Sequence, residues 1–384
     1  MKSVKEVSVE NKRVLVRVDF NVPIKDGVVV DDFRIRAVLP TIRFLIKNKA
    51  IVILLSHLGR PKGKVVPELR LDPVADRLGE LLQKKIVKTR DCVSLDTVKI
   101  VSDASPGDVV LLENLRFNSG EEDNNLGFAE KLAQLGDVFV NDAFSVCHRR
   151  HASVVGIPKF LPSFAGFELV KEVAELSKLL SPKKPFVVVL GGVKIETKLG
   201  VIKNLIDKVD FVLVGGAMVF TFFKAMGLEV GKSIVEDDKI NVAKEILDLG
   251  KGKLVFPVDI VVAENCESSS RIVSFNEIPE SLAGFDIGPD ACSEFSQVIS
   301  DAGTVFWNGP MGLFEKKPFD KGTERIAKAI AGCKGFTVAG GGETVSAIRR
   351  FNLDRKFSFI SSGGGASLVF LSGKKLPGID VLNS

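Results

Sequence analysis

The stretch FVVVLGGVKIETKLGVIKNLIDKV, residues 186–209, decides the fold class of this chain. It begins with five consecutive apolar residues, Phe186–Leu190, which is typical of a strand buried on both faces of a parallel sheet. Two glycines follow, and after them four apolar residues recur at the spacing of one helix face: Ile202, Leu205, Ile206 and Val209. The order of strand, glycine turn and helix predicts one repeating unit of an α/β protein.

Similar apolar runs occur along the whole chain, and each stops at polar residues or glycines. The predicted strands are residues 13–20, 50–56, 109–114 and 138–142 in the first half, and residues 186–192, 211–216, 254–263, 304–310, 336–341 and 357–365 in the second. A helix is predicted after Asp72 as N-cap, with Pro73 at its first position. Between the two sets of strands, Glu168–Leu180 is predicted to be an amphipathic helix that Ser181–Pro185 ends. The sequence therefore predicts two doubly wound parallel-sheet domains joined by an interdomain helix and hinge.

Composition excludes several other classes of protein. The chain has 384 residues, 45% hydrophobic and 26% charged, which fits a globular protein of about two domains. Its five cysteines are odd in number and form no CxxC pair, which disfavours a disulfide framework or a zinc ribbon. The N-terminus lacks an apolar signal segment, and no stretch of about 18 residues is free of charge. We therefore expect a cytoplasmic protein without membrane contact. The net charge of +5 is small and dispersed, so no nucleic-acid partner is expected.

Arginine side chains, in two cases with histidines, follow each of the four predicted strands of the first half. They include Arg34 and Arg36 after the first strand, His57 and Arg60 after the second, Arg116 after the third, and His148, Arg149 and His151 after the fourth. Parallel sheets bind ligands beyond the carboxyl ends of their strands, and guanidinium groups suit phosphate and carboxylate oxygens. We therefore expect a site for a small polyanion. The two histidines beside Cys147 do not predict a metal site, because no second ligand cluster has suitable spacing.

Glycine-rich turns follow four predicted strands of the second half. These turns are Gly191–Gly192, Gly215–Gly216, Gly340–Gly342 and Gly363–Gly365. Such turns let a phosphate approach backbone N–H groups at a helix start, so together they predict a nucleotide site. For any single turn, a tight connection between strand and helix is the simpler explanation. Lys194 and Lys198 are predicted to share one helix face. The motifs of P-loop proteins, dinucleotide-binding folds and protein kinases do not fit this chain.

From end to end, the chain resembles the phosphoglycerate kinase family. The segments that carry the resemblance, in the family's order, are RVDFNVP (17–23), SHLGRP (56–61), ENLRF (113–117), FVNDAF (139–144), GGVK (191–194), DIGP (286–289), WNGPMGLFE (307–315), GGGET (340–344) and SSGGGASL (361–368). The resemblance implies a phosphotransferase with a carboxyl group as acceptor. It implies reversible transfer of the acyl phosphate of 1,3-bisphosphoglycerate to Mg-ADP, giving 3-phosphoglycerate and ATP, in a monomer. Because phosphoryl transfer depends on positioning and charge neutralisation, we expect direct in-line transfer after domain closure.

The resemblance also implies domains and site residues. Residues 1–165 would form a 3-phosphoglycerate-binding domain, 166–185 an interdomain helix and linker, 186–365 a nucleotide-binding domain, and 366–384 a segment that returns to the first domain. The implied phosphoglycerate site consists of Asp19, Asn21, Arg34, His57, Arg60, Arg116 and Arg149. The implied nucleotide site consists of Gly191, Gly192, Lys194, Lys198, Gly215, Asn308, Glu315, Gly341, Gly342, Glu343 and Thr344. Arg34, Lys198 and Gly341 are the expected catalytic residues. Glu315 would hold the ribose, and Glu343 would hold Mg²⁺ through the nucleotide.

A few positions depart from the family pattern. Glu343 stands where Asp is usual, which lengthens its reach by about 1.5 Å, and Ser145-Val146-Cys147 replaces Gly-Thr-Ala. Arg150 replaces a small residue. These changes motivate one alternative, a catalytically weakened ADP-binding regulator of the same fold, although the intact arginines and Lys198 favour an active enzyme. A nucleic-acid-binding module and a dinucleotide-dependent oxidoreductase are the alternatives from other classes.

Overall fold

In the computed structural model, which describes residues 1–383, the chain divides into two units. Unit 1 comprises Met1–Ala174 and the residues from Lys375 onward, and unit 2 comprises Glu175–Lys374. The strands of unit 1 are β1 (Arg13–Arg17), β2 (Ile24–Lys25), β3 (Val28–Val29), β4 (Ile51–Leu55), β5 (Val87–Lys88), β6 (Val109–Leu111), β7 (Val138–Asn141) and β8 (Ser163–Ala165). Its helices are α1 (Phe33–Lys47), α2 (Asp72–Leu82), α3 (Leu95–Asp103), α4 (Ser119–Glu122), α5 (Leu126–Ala133), α6 (Phe167–Ser177), whose last residues belong to unit 2, and a further short helix, Pro377–Asp380.

Six parallel strands form the sheet of unit 1, in the order β5-β6-β4-β1-β7-β8. Because successive side chains of a strand point to opposite faces, the continuous apolar runs cover both faces of this sheet. In β4, Val52 and Leu54 pack with α1 and α2 on one face, and Ile53 and Leu55 pack with α3 and α5 on the other. The predicted doubly wound α/β class is confirmed for this unit.

Unit 2 repeats the architecture with a second parallel sheet. Its strands are β9 (Phe186–Leu190), β10 (Phe211–Val214), β11 (Leu254–Val255), β12 (Asp259–Ala263), β13 (Arg271–Ser274), β14 (Ala283–Ile287), β15 (Thr304–Asn308), β16 (Phe336–Ala339) and β17 (Phe359–Ile360). Its helices are α7 (Glu196–Leu205), α8 (Met218–Ala225), α9 (Ile240–Leu249), α10 (Pro289–Ser300), α11 (Lys321–Gly332), α12 (Gly342–Arg350) and α13 (Gly365–Leu371). The parallel sheet has the order β11-β10-β9-β15-β16-β17, and an antiparallel sheet has the order β13-β12-β14.

The structure corrects the predicted elements in three places. The single strand predicted over 254–263 is two strands in different sheets, because Pro257 lies between β11 and β12 and cannot donate a ladder hydrogen bond. Asp72 is the first residue of α2 and not its N-cap, which is Leu71. The short edge strands β5 and β8 and the antiparallel strands β13 and β14 were not predicted.

The segment that begins at Lys375 packs within unit 1. The N–H of Gly378 donates to the carbonyl of Cys147 at 2.9 Å, and the side-chain amide of Asn141 donates to the carbonyl of Gly378 at 3.3 Å. A Cβ at Gly378 would lie 2.7 Å from Cγ1 of Val154, so only glycine fits this close approach. Unit 1 is therefore assembled from both ends of the chain. Within residues 1–383, no helix combines the length and apolar character that crossing a membrane requires.

Candidate active site

The four strands predicted in the first half lie side by side in the sheet of unit 1. Their order is β6, β4, β1 and β7, and all run parallel, so the loops that follow them meet at one edge as predicted. The predicted residues on these loops and at the start of α1 are called the basic edge here: Asp19, Asn21, Arg34, His57, Arg60, Arg116 and Arg149.

Asp19 and Arg34 form an ion pair at the centre of the basic edge. Nη1 of Arg34 lies 3.0 Å from Oδ2 of Asp19 and donates to the carbonyl of Asn21 at 3.0 Å. The N–H of Asn21 donates to Oδ1 of Asp19 at 3.0 Å, and the hydroxyl of Ser145 donates to Oδ2. Burial alone would raise the pKa of Asp19, but the charge of Arg34 and the hydrogen bond from Ser145 hold it below its usual value. Asp19 is therefore an anion that orients Arg34.

His57 is buried and neutral, and its tautomer is set by Arg17. Nη2 of Arg17, the fully buried last residue of β1, lies 3.2 Å from Nδ1 of His57. A guanidinium group only donates hydrogen bonds, so Nδ1 accepts and Nε2 carries the hydrogen. Burial lowers the pKa of His57 well below its usual value; Asp19 opposes the shift, and Arg17, Arg116 and Arg34 add to it. His57 thus offers an N–H donor without a charge.

Asn114 connects the loop after β6 to the loop after β4. Its Oδ1 accepts from the N–H of Leu58 at 3.2 Å and from the N–H of Arg116 at 3.1 Å, and its Nδ2 donates to the carbonyl of Leu58 at 2.8 Å. Nη1 of Arg116 then donates to the carbonyl of Gly59 at 2.7 Å. Burial lowers the pKa of Arg116, an effect opposed by Glu122, whose Oε1 lies 3.2 Å from Nε of Arg116. These bonds hold Arg116 beside the loop that carries the predicted His57.

Two further predicted arginines complete the positive charge of the edge. Arg60 follows Gly59 and is exposed, and Arg149 is half-buried in the loop after β7. Arg149 is close enough to Arg116 to lower its pKa further. Neighbouring guanidinium groups repel one another, so an anion that binds between them is stabilised.

A buried network behind the basic edge was missed by the sequence analysis. Nε of Arg17 donates to Oγ of Ser153 at 2.8 Å, and Oγ of Ser153 donates to Oε1 of Glu121 at 2.6 Å. The N–H of Ser153 donates to the other oxygen of Glu121 at 2.9 Å. Burial raises the pKa of Glu121, and the charge of Arg17 opposes this shift. The available signal was a charged residue inside the apolar run of β1, because a buried arginine requires a partner.

In unit 2, some glycines of the predicted turns are required by packing alone. A Cβ on Gly191 would lie 2.1 Å from the carbonyl oxygen of Pro310, and a Cβ on Gly309 would lie 2.2 Å from that of Gly191. The turns after β9 and β15 therefore pack main chain against main chain, which is the simpler explanation of these glycines. Gly342 differs, because a Cβ there would have no atom within 4 Å. The open part of the glycine cluster lies at the start of α12.

Lys198 is a buried cation beside that opening. Its Nζ donates to Oδ1 of Asn308, whose Nδ2 donates to the carbonyl of Gly340 at 2.7 Å. Burial lowers the pKa of Lys198 to about 8, and the carboxylate of Glu343 opposes the shift. Lys194 lies before the start of α7 and is exposed, so the prediction that the two lysines share a helix face was wrong.

The first backbone N–H groups of α12 have no acceptor within the helix, as at any helix start. Gly341 has φ +101°, in the left-handed region that favours glycine, and turns the chain into the helix. Oγ1 of Thr344 accepts from the N–H of Gly309 at 2.7 Å, which fixes the first turn of α12 against the turn after β15. Unpaired N–H groups and the helix dipole make such a helix start favourable for phosphate.

Two predicted acidic residues lie exposed near these turns. Oε2 of Glu343, in the first turn of α12, would lie 3.7 Å from a Cβ placed on Gly192, so its carboxylate faces the turn after β9. Glu315 is exposed in the loop after β15. Within residues 1–383, no group of three or more histidine, cysteine or acidic side chains is arranged to hold a metal ion.

A protein family and two relatives each match nearly the whole length of this chain. The family described as Phosphoglycerate kinase matches residues 4–374. Two relatives named phosphoglycerate kinase come from Moorella thermoacetica, 48% identical, and Coprothermobacter proteolyticus, 50% identical. Each alignment covers 99% of this chain and 98% of the relative.

Two solved structures of phosphoglycerate kinases share the fold. The structure from Coxiella burnetii has a TM-score of 0.86 at 38% identity and covers 99% of this chain and 98% of its own. The structure from Pyrococcus horikoshii has a TM-score of 0.91 at 32% identity and covers 100% of this chain and 98% of its own.

Proposed function

This chain belongs to the phosphoglycerate kinase family, and we propose on that basis how its residues divide the work of the reaction. The enzyme catalyses reversible phosphoryl transfer between 1,3-bisphosphoglycerate and ADP, giving 3-phosphoglycerate and ATP. The basic edge of unit 1 holds the phosphoglycerate, and the groups around Lys198 and the start of α12 in unit 2 hold the nucleotide. The match of the whole chain gives no support to the alternative of an ADP-binding regulator.

The observation that carries this division is the chemistry of the basic edge. Arg34 and Arg116 are fixed by neighbouring groups, and His57 adds an uncharged N–H donor. Phosphate and carboxylate oxygens are the acceptors that such donors bind most strongly. In the proposed mechanism Arg34 and Lys198 neutralise charge on the transferring group, and Gly341 lets the backbone N–H groups approach it. Direct in-line transfer after domain closure stays a prediction.

We propose that Mg²⁺ enters with the nucleotide. Mg²⁺ in proteins usually keeps several waters and takes one or two carboxylates together with substrate phosphates. The exposed carboxylate of Glu343, facing the turn after β9, fits that pattern, whereas a resident metal site would need a larger cluster. When bound, Mg²⁺ would neutralise phosphate charge. We further propose that Gly192, Lys194 and Gly215 lie on the turns that flank the nucleotide. Glu315 would reach its ribose.

The first test is a coupled assay with 3-phosphoglycerate, Mg-ATP and a reporter for 1,3-bisphosphoglycerate. We expect turnover by the unmodified chain, and a loss of at least about a hundredfold in kcat/KM for Arg34→Ala, because one preorganised cation on the reacting group is worth several kcal/mol. The matched control is Arg36→Ala on the same helix, since Arg36 is exposed and pairs with Asp32 at 2.8 Å. Equal losses in the two variants would contradict the role of Arg34.

A second test concerns the glutamate in place of aspartate at position 343. We expect Glu343→Ala to raise the Mg²⁺ concentration for half-maximal activity by roughly tenfold, because one carboxylate ligand is lost, and Glu343→Asp to retain most of the affinity. The measurement is activity against free Mg²⁺ at fixed nucleotide. Glu324→Ala, which removes a surface partner of Lys328, is the control. Unchanged Mg²⁺ dependence and unchanged activity of Glu343→Ala at saturating metal and nucleotide would remove Glu343 from the site.

We propose small-molecule substrates only, with no nucleic-acid partner, for an enzyme that works as a monomer in the cytoplasm. The small and dispersed net charge of +5 supports the absence of nucleic acid. Sedimentation at working concentration tests the monomer.

A further inference from the structure

Ser145 contacts the phosphoglycerate side of the proposed site from a neighbouring strand end. It lies in a short 3₁₀ helix, Phe144–Val146, that follows β7, whereas Asp19 follows β1. β1 and β7 are adjacent parallel strands. The hydroxyl of Ser145 donates to Oδ2 of Asp19, the same oxygen that Nη1 of Arg34 approaches at 3.0 Å.

The hydroxyl of Ser145 adds one more group to those that hold the Asp19 carboxylate in place. Its Oδ1 is fixed by the N–H of Asn21, two residues along the same loop, and its Oδ2 is shared by Arg34 and Ser145. Without the hydroxyl, the only partner of Oδ2 in the described contacts would be the ion pair with Arg34, whose side chain is 27% exposed and long. A long, partly exposed side chain holds a partner weakly because ordering it costs rotamer entropy. The short side chain of Ser145 has no such cost.

We infer that Ser145 is a positioning residue for phosphoglycerate, acting through Asp19 on Arg34. The inference rests on the proposed function, which places both of these residues in the phosphoglycerate site. Ser145 fixes the rotamer of the Asp19 carboxylate, and the carboxylate fixes the guanidinium of Arg34 for the substrate. The hydroxyl that makes this contact belongs to Ser145, at a position where the resemblance implies glycine.

The test compares two variants of the same shape, Ser145→Thr and Ser145→Val, in the full-length enzyme. Thr keeps the hydroxyl and Val replaces it with a methyl group, so steric effects are shared. We expect Val to raise KM for 3-phosphoglycerate by roughly fivefold to twentyfold, in line with the loss of a hydrogen bond to a charged group. Thr should stay within about twofold of the unmodified enzyme, and KM for the nucleotide should not change in either variant. Equal KM values in Thr and Val, or an equal rise in KM for the nucleotide, would overturn the inference.

A double-variant cycle with Asp19→Ala separates this inference from the proposed function. If Ser145 acts through Asp19, the rise in KM caused by Ser145→Val disappears in the Asp19→Ala background. A full, multiplicative rise in that background would overturn the inference and leave the proposed function intact. If Asp19→Ala alone leaves KM for 3-phosphoglycerate unchanged, the proposed phosphoglycerate site is wrong. Thermal midpoints of the Thr and Val variants, expected to agree, show that the comparison is made between equally folded proteins.

Discussion

Replacing Lys198 with methionine is expected to lower kcat by roughly a thousandfold, because it removes the buried cation that we propose acts on the transferring group. Methionine keeps the length and apolar stem of the side chain, so the packing of α7 should persist. The measurement is steady-state turnover at saturating 3-phosphoglycerate and Mg-ATP. Lys203→Met is the matched control on the same helix, since Lys203 is exposed and pairs with Glu245 on the surface. A loss no larger than that of the control would contradict the role of Lys198.

From the proposed role of Lys198 we also expect nucleotide binding to depend on pH. Burial places the pKa of Lys198 at about 8 in the free protein, so roughly half of the molecules carry the neutral amine at pH 8. Phosphate binding favours the ammonium form and raises that pKa, so nucleotide binding near pH 8 takes up about half a proton. The contribution of Lys198 to affinity should then be constant below about pH 7 and fall as the pH rises above 8. Calorimetry in buffers of different ionisation enthalpy measures the uptake, and its persistence in Lys198→Met would assign it to another group.

The second large effect is on stability. Arg17→Met should destabilise the protein by about 3–5 kcal/mol, because it leaves the carboxylate of Glu121 buried without its compensating charge. Urea unfolding followed by circular dichroism measures this loss. Arg13→Met on the same strand is the control, since its ion pair with Asp137 at 2.6 Å is exposed and should cost below about 1 kcal/mol. Before urea is added, the fluorescence of Trp307 in the Arg17→Met variant should keep its native value, because this single tryptophan lies in unit 2.

A second substitution shows whether the uncompensated charge is the cause. In the Arg17→Met background, Glu121→Gln replaces the buried carboxylate with a neutral amide that still accepts from Ser153. We expect this double variant to recover at least about half of the lost stability. If the double variant is no more stable than Arg17→Met alone, lost packing around Arg17 accounts for the effect.

The apolar pattern of the sequence was sufficient to predict the central strands of the two parallel sheets. It was insufficient to predict the short edge strands β5 and β8 or the antiparallel strands β13 and β14. Runs such as Ile51–Leu55 and Phe186–Leu190 are apolar at every position because both faces are covered, and that pattern is readable without tertiary information. The antiparallel strand Arg271–Ser274 is largely exposed, so it has no comparable apolar signal. Edge strands such as Val87–Lys88 contain too few residues to show any period.

In the candidate site, too, some features were predictable from the sequence and others were not. The positions of Arg34, His57 and Arg116 were predictable because the segments that carry them follow recognisable strands. The contacts of Ser145 with Asp19 and of Arg17 with His57 join loops far apart in sequence, and only the packed sheet brings them together. The burial of Lys198 but not of Lys194 depended on where α7 begins, and helix boundaries are weakly encoded locally.

The return of the chain end to unit 1 affects the order in which the protein can be made. Unit 1 includes the segment from Lys375 onward, in which Gly378 packs closely against the rest of the unit. The first part of unit 1 ends at Ala174. A ribosome that adds about 5–20 residues per second needs about 10 to 40 s to make the intervening 200 or so residues of unit 2. During that interval the first part of unit 1 exposes the surface against which the segment from Lys375 onward will pack. Unit 1 is thus begun before unit 2 is made and completed only after unit 2 has been made.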